Sequence, residues 1–176
     1  HYDPEFSTFT YGEGSDNKAA ILKNLKKNDL LIFYASLSPP IQKNPVKKYI
    51  IGYFIIDKIY NFRKNLGGIP LTYNDEPADK IVNNIHIRLR LELEPVIAVG
   101  DPDQSKLLNK AIPLTESSEN GKYHIYPELK NRLLWDKPTD VLHRGVRIFK
   151  KDYQVENFIK LINGDGPTEL YERSIY

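Results

Sequence analysis

The chain has no cysteine, no methionine and a single tryptophan. No apolar run approaches the roughly 20 residues a membrane-spanning helix needs, and no secretory h-region is present. Without cysteine there is no disulfide framework, no thiolate zinc site and no cysteine nucleophile. That composition fits a cytoplasmic protein with no membrane partner. The chain opens on His1 rather than methionine, so further sequence upstream of His1 is expected. Also missing are a βαβ rhythm and a glycine-rich phosphate fingerprint, which argues against a Rossmann or P-loop enzyme. No G-x-S-x-G elbow or S-x-x-K pair points to a nucleophile. The four histidines, His1, His86, His124 and His143, are scattered without H-x-x-x-H or H-E-x-x-H spacing. Neither a metal, a cofactor nor a catalytic residue is assigned.

At 176 residues the chain is long enough for one well-buried domain. Residues 1–163 read as that domain and 164–176 as a tail or linker. The opening, His1-Tyr2-Asp3-Pro4-Glu5-Phe6-Ser7-Thr8-Phe9-Thr10-Tyr11-Gly12-Glu13-Gly14, mixes a histidine and carboxylates with four aromatic rings. Pro4, Gly12 and Gly14 keep it from forming a regular helix. Rings beside hydrogen-bonding groups suit a pocket for a flat polar ligand such as a nucleobase. They equally suit rings that plug a sheet end and polar groups that cap turns.

The pattern downstream predicts a helix from Ser15 or Asp16 to Lys27, ended by Asn28-Asp29. Leu30–Leu37 is a short apolar run with the character of a buried strand, and Tyr49–Tyr60 is the clearest strand, with Gly52 marking a bulge or bend. A short helix is expected over Pro77–Asn84, and His86–Leu93 alternates as a half-exposed strand would. Strands are expected again at Pro95–Val99 and Ala111–Leu114, with a turn or short helix at Ser105–Lys110 between them. Helices then follow at Pro127–Trp135 and at Asp152–Asn163, separated by a strand at Val141–Phe149. The last helix would bury Val155, Phe158, Ile159 and Ile162. These elements describe an α+β protein, a small mixed β-barrel with peripheral helices.

The net charge is only +2, but the charges are segregated. From Asn17 to Asn65 the basic residues are Lys18, Lys23, Lys26, Lys27, Lys43, Lys47, Lys48, Lys58, Arg63 and Lys64, against Asp29 and Asp57 alone. Arg144, Arg147, Lys150 and Lys151 form a second acid-free run. Segregation of this kind can build a positive face for phosphates, although lysines also decorate most small domains. Beside the expected 86–93 strand, Asn83, Asn84, His86 and Arg88 carry groups that can read base edges or clamp phosphate, or equally side chains that satisfy the backbone of a turn. Tyr34, Tyr53 and Trp135 are stacking candidates that could as well be core. Asp101-Pro102-Asp103-Gln104-Ser105-Lys106 faintly resembles a nuclease carboxylate–lysine arrangement, but a turn is the better reading.

Asn28-Asp29-Leu30-Leu31-Ile32-Phe33-Tyr34, followed by Ile51-Gly52 in the next strand, resembles the PUA-like superfamily. Its members include EVE, YTH and ASCH domains and nucleotide-modification-associated domains. The segment from His1 to Gly12 looks most like the last of these, and like N-terminal specificity domains of McrB-type restriction proteins. The tryptophan-rich cage of YTH readers has no match, Trp135 being the only tryptophan. The resemblance implies a nucleic-acid-binding module that holds a nucleobase, modified or not, in a barrel-edge pocket and serves DNA modification or modification-dependent restriction. DNA is favoured over RNA as partner, with a motor or nuclease domain fused or associated. His1, Tyr2, Asp3, Phe6, Tyr11, Tyr34, Tyr53, Asn84 and His86 would hold the base. Lys23, Lys43, Lys47, Lys48, Arg63, Lys64, Arg88, Arg144, Arg147 and Lys150 would contact phosphates. The alternatives are a small ASCH-like enzyme acting on a nucleoside or modified base, using His1, Asp3, Glu5 or Lys106 as acid–base groups, and a protein-interaction domain.

Overall fold

A computed structural model describes residues 4–14, 16–37, 47–64, 70–71, 81, 84–88, 94–116, 122–133, 147–149 and 152–163. The chain divides into two compact units, residues 1–31 with 53–106 and residues 32–52 with 107–176. The class is α+β, built on a curled antiparallel sheet with a few short helices, as the sequence pattern predicts. No helix among the described residues is long and apolar enough to cross a membrane.

The first unit is organised by strand β6 (Val96–Gly100), which pairs antiparallel with β1 (Thr10–Glu13) on one edge and with β3 (Lys47–Asn61) on the other. Every residue of β6 is buried, so its apolar run V-I-A-V faces packed side chains on both surfaces. The register puts Thr10, Val99 and Lys58 in one row and Gly12, Ile97 and Tyr60 in the next. Because strand side chains alternate, these rows share one face while Tyr11, Glu13, Ala98 and Ile59 occupy the other. The first face packs Tyr60, Phe62, Ile81, Ile97 and Val99 into a core cluster, with Ile87 against it. The second faces α1 (Asp16–Lys23).

Helix α1 is shorter than expected. The Asn24 amide donates to the Ala20 carbonyl, and the Asn24 N–H turns back to Ile21. Asn28 then adopts φ 72°, a left-handed conformation that asparagine tolerates better than most residues. Asp29 closes this turn by accepting from Lys26 N–H, and Asn28 and Asp29 bond to Ile56 of β3. A register shift between β3 and β6 lies between Ile56 and Lys58.

In the second unit β2 (Leu30–Leu37) lies between β3 and β8 (Arg147–Phe149), and β7 (Lys106–Pro113) also pairs with β3. Strand β2 has the bounds expected from its apolar run. Strand β7 does not: residues 106–110 were expected to turn or coil into a helix. Backbone pairing to β3 decides their conformation, since the exposed K-L-L-N-K stretch has no period of its own. Helix α3 (Pro127–Arg132) starts on its proline, whose missing N–H costs nothing there. Helix α4 (Asp152–Ile162) forms where predicted, but the stripe it buries is Gln154, Phe158 and Leu161 rather than Val155, Phe158, Ile159 and Ile162. Two-residue strands β4 (Arg63–Lys64) and β5 (Pro70–Leu71) pair separately.

The largest departure is at His86–Arg88, expected to open a strand and found in the short helix α2 (Ile85–Arg88). Asn84 is responsible. Its carbonyl accepts from the N–H groups of Ile87 and Arg88, and its side-chain Oδ1 accepts from His86 N–H at 3.1 Å. This is N-capping, and it satisfies donors that a strand would have paired with a neighbour. Of the helix predicted over Pro77–Asn84 only Ile81 and Asn84 are described, with Asn84 N–H donating to the Ile81 carbonyl at 3.0 Å; the strand residues expected at 89–93 and 141–146 and the tail 164–176 lie outside the described residues.

Gly12 is where the core of the first unit is tightest. A Cβ there would stand 2.5 Å from His86 Cδ2 and 2.7 Å from Asn84 Oδ1. Gly12→Ala is therefore expected to lose about 1–3 kcal/mol through overpacking. In urea denaturation, His86→Ala made in the same chain should recover part of that loss as a coupling term.

Candidate functional site

Among the described residues, two places bring chemistry-bearing side chains together. The first surrounds Gly12. Thr10, Asn84 and His86 are all buried on the Gly12 face of β1, and Asn84 Nδ2 donates to Thr10 Oγ1 at 3.2 Å. The Asn84 amide thus spends an oxygen on the cap and a nitrogen on Thr10. Arg88, one turn on, is exposed. Tyr11 leaves β1 on the opposite face, where its hydroxyl donates to Glu13 Oε1, and Lys18 Nζ reaches the same oxygen at 2.9 Å. That buried carboxylate joins β1 to α1. Tyr11 and His86, both proposed to touch a base, therefore do not share a face.

The described part of the opening segment is a tight hairpin. Glu5 and Thr10 exchange backbone hydrogen bonds at 2.9 and 3.0 Å, and the Glu5 carboxylate accepts from Ser7 Oγ at 2.6 Å. Phe9 sits at φ 52°, a costly conformation for an aromatic residue. Gly100 N–H holds it by donating to the Phe9 carbonyl at 2.8 Å. Phe6 and Phe9 set their rings edge-on against Phe54, with centroids 5.4 and 5.7 Å away. Here the polar groups cap a turn and the rings pack. His1, Tyr2 and Asp3 lie outside the described residues.

Tyr53 is buried in the first unit, and desolvation pushes its phenol above the usual tyrosine range. Tyr34 is half-buried and belongs to the second unit. Asp101 accepts from the Gln104 amide at 2.7 Å and from Asp103 N–H at 2.9 Å; the first bond, then the second, hold its carboxyl below the ordinary range. The 101–106 stretch is thus a carboxylate-capped turn leading into β7, with Ser105 Oγ accepting from Ile55 N–H at 3.1 Å. Among the described residues no three His, Asp or Glu side chains converge to hold a metal ion.

The second place lies in the second unit at the start of β3. Lys48 Nζ stands 4.6 Å from the Tyr123 ring centroid and also donates to Ser36 Oγ of β2. Lys47 Nζ reaches the Tyr126 hydroxyl at 3.4 Å. As consecutive strand residues, the two lysines leave β3 on opposite sides. The tyrosines come from a segment held by the Thr115–Ile125 bridge and by Glu116 N–H to the His124 carbonyl at 2.9 Å. Lys122 and His124, on either side of Tyr123, are exposed. Neither Tyr123 nor Tyr126 was singled out from sequence, although Lys122-Tyr123-His124-Ile125-Tyr126 interleaves cationic and aromatic residues, a recognisable signal. Of the other phosphate candidates, Lys23 is exposed at the end of α1. Arg63 and Lys64 form β4 and Arg147 opens β8, while Lys43, Arg144 and Lys150 lie outside the described residues.

A family model described as nucleotide modification associated domain 3 matches residues 1–150. The chain belongs to this family. The resemblance to nucleotide-modification-associated domains is borne out at that level, and the match spans both places described above. No curated protein and no solved structure matches the chain.

Two measurements follow for this nucleotide modification associated domain. Asn84→Ala should cost about 1–2 kcal/mol in urea denaturation, and Asn84→Asp, which keeps a capping oxygen but loses the donor to Thr10 and buries a carboxylate, should cost no less. Raised above its unfolded value near 10, the Tyr53 phenol contributes stability that is fully present below about pH 10 and lost as pH rises through the folded value. Tyr53→Phe should therefore lose less stability than the parent between about pH 9 and 11, measured as the shift in urea midpoint.

Proposed function

We propose that this chain is a nucleic-acid-binding module acting where nucleotides are modified, with the Lys48–Tyr123 surface of its second unit as the contact and Lys47, on the other side of β3, as a further phosphate candidate. The observation that carries this reading is the Lys48 ammonium resting on the Tyr123 ring. A cation for phosphate and a π-face for a base stand there within one side chain's reach. Membership of a nucleotide-modification-associated family supports it. Lysines serve here as point charges on flexible stems, suited to phosphates whose spacing varies.

Within this reading the finer assignment is a PUA-like module that accommodates a nucleobase and delivers specificity to a motor or nuclease partner, with DNA preferred to RNA. If the base must leave a duplex, flipping costs a few kcal/mol, which stacking at about 1–3 kcal/mol per base offsets. In the first unit Arg88 is an exposed cation beside the buried Thr10–Asn84–His86 group, whose Asn84 amide is committed to the helix cap and to Thr10.

The test is a fluorescence-anisotropy panel of single- and double-stranded DNA and RNA, with and without base methylation, at two salt concentrations. Binding should weaken with salt, at a log–log slope of about −0.7 to −0.9 per phosphate contacted. Lys47→Gln with Lys48→Gln should weaken binding across all sequences and flatten that slope by about one to two units. Unchanged affinity in that variant would remove the surface from the site.

A further inference from the structure

Resting on the functional reading above, we propose that Lys48 is a latch on the Tyr123 ring and that the site selects unpaired strands. In the free protein the Lys48 ammonium occupies one face of Tyr123 and takes its remaining anchor from Ser36 Oγ. The ends of this arrangement differ in freedom. The Lys48 backbone is fixed: its N–H donates to Thr115 Oγ1 at 3.0 Å, and its carbonyl accepts from Leu114 N–H at 2.8 Å. The Tyr123 backbone leads straight into an anchored stretch, since the next residue, His124, accepts from Glu116 N–H and Ile125 bridges Thr115. The four-carbon lysine stem can swing without breaking backbone bonds.

A ring face holding an ammonium is not open to a base. The two compete for the same negative π-surface, and an incoming phosphate is the group that draws the ammonium off. One side chain then couples the events: as Lys48 pairs with the phosphate, it uncovers Tyr123 for the adjoining base. Bases within a duplex already stack on both sides and have no free face to give, whereas unpaired bases do. Exposed Lys122 and His124 flank Tyr123 in chain order. The substrate class is therefore a single-stranded segment, loop or frayed end. The stacking is sequence-tolerant, so any base preference comes from elsewhere in the molecule.

The experiment uses the full chain with a labelled oligothymidylate about ten nucleotides long and a duplex of equal length, followed by anisotropy. The parent should bind the single strand more tightly. Tyr123→Phe should stay within about twofold, and Tyr123→Ala should weaken binding on the order of tenfold. Tyr123→Leu keeps apolar bulk without a π-face, so it should bind as poorly as Tyr123→Ala while melting like the parent. The latch has its own signature in Lys48→Ala. Oligothymidylate binding should weaken and lose about one unit of salt slope. Binding of thymidine, which carries no phosphate, should strengthen at Tyr123, read as ring-proton shifts by NMR. Equal or tighter duplex binding, parent-like binding by Tyr123→Leu, or thymidine binding unchanged in Lys48→Ala would each overturn this inference and leave the broader reading standing. A parent chain that binds no oligonucleotide at low salt would overturn both.

Discussion

In the first unit everything is hung on β6. Its buried residues must find hydrogen-bond partners for every backbone N–H and C=O, and β1 and β3 supply them from either edge. That double pairing sets the register, and the register sets the faces. Gly12 lands beside Ile97 on the face that receives α2, so the lack of a Cβ becomes the space taken by His86 and Asn84. Tyr11 and Glu13 land on the other, where Lys18 of α1 meets the carboxylate. A slip by one residue would exchange these environments, burying a tyrosine and a carboxylate where the glycine now makes room.

The second unit places its chemistry by a different device. Strand β3 presents Lys47 and Lys48 on opposite sides, and a segment 75 to 79 residues on brings a tyrosine to each. Lys48 is bound through its backbone to Leu114 and Thr115, which in turn hold the segment carrying Tyr123. Ring and ammonium are thus positioned by main-chain hydrogen bonds rather than by their own weak attraction, which leaves the attraction available for exchange with a ligand.

Legibility of the fold followed the strength of the local pattern. Strand β2, the Val96–Val99 run and the final helix all carry long apolar patterns, and each formed within a residue or two of its expected bounds. Where two patterns competed, local chemistry or pairing decided. His86–Arg88 alternates like a strand, yet Asn84 caps it into a helical turn. Lys106–Lys110 has no usable period, yet β3 holds it extended. In α4 the stripe was misjudged because Gln154 and Leu161, not Val155 and Ile162, point into the core.

The candidate site was legible only as an inventory. Segregated lysines, aromatic residues and an Asn–His pair can be read from one dimension because they depend on composition and short spacing. The family match rests on that same one-dimensional record. Which of these residues meet could not be read there. Strand register separated Tyr11 from His86, capping committed the Asn84 amide, and a long-range bridge brought Tyr123 to Lys48. Residue types and local periodicities belong to the sequence by itself, since they arise from neighbours a few positions apart. Companionship between distant side chains is decided by backbone pairing across the sheet, whose geometry no short window of sequence contains.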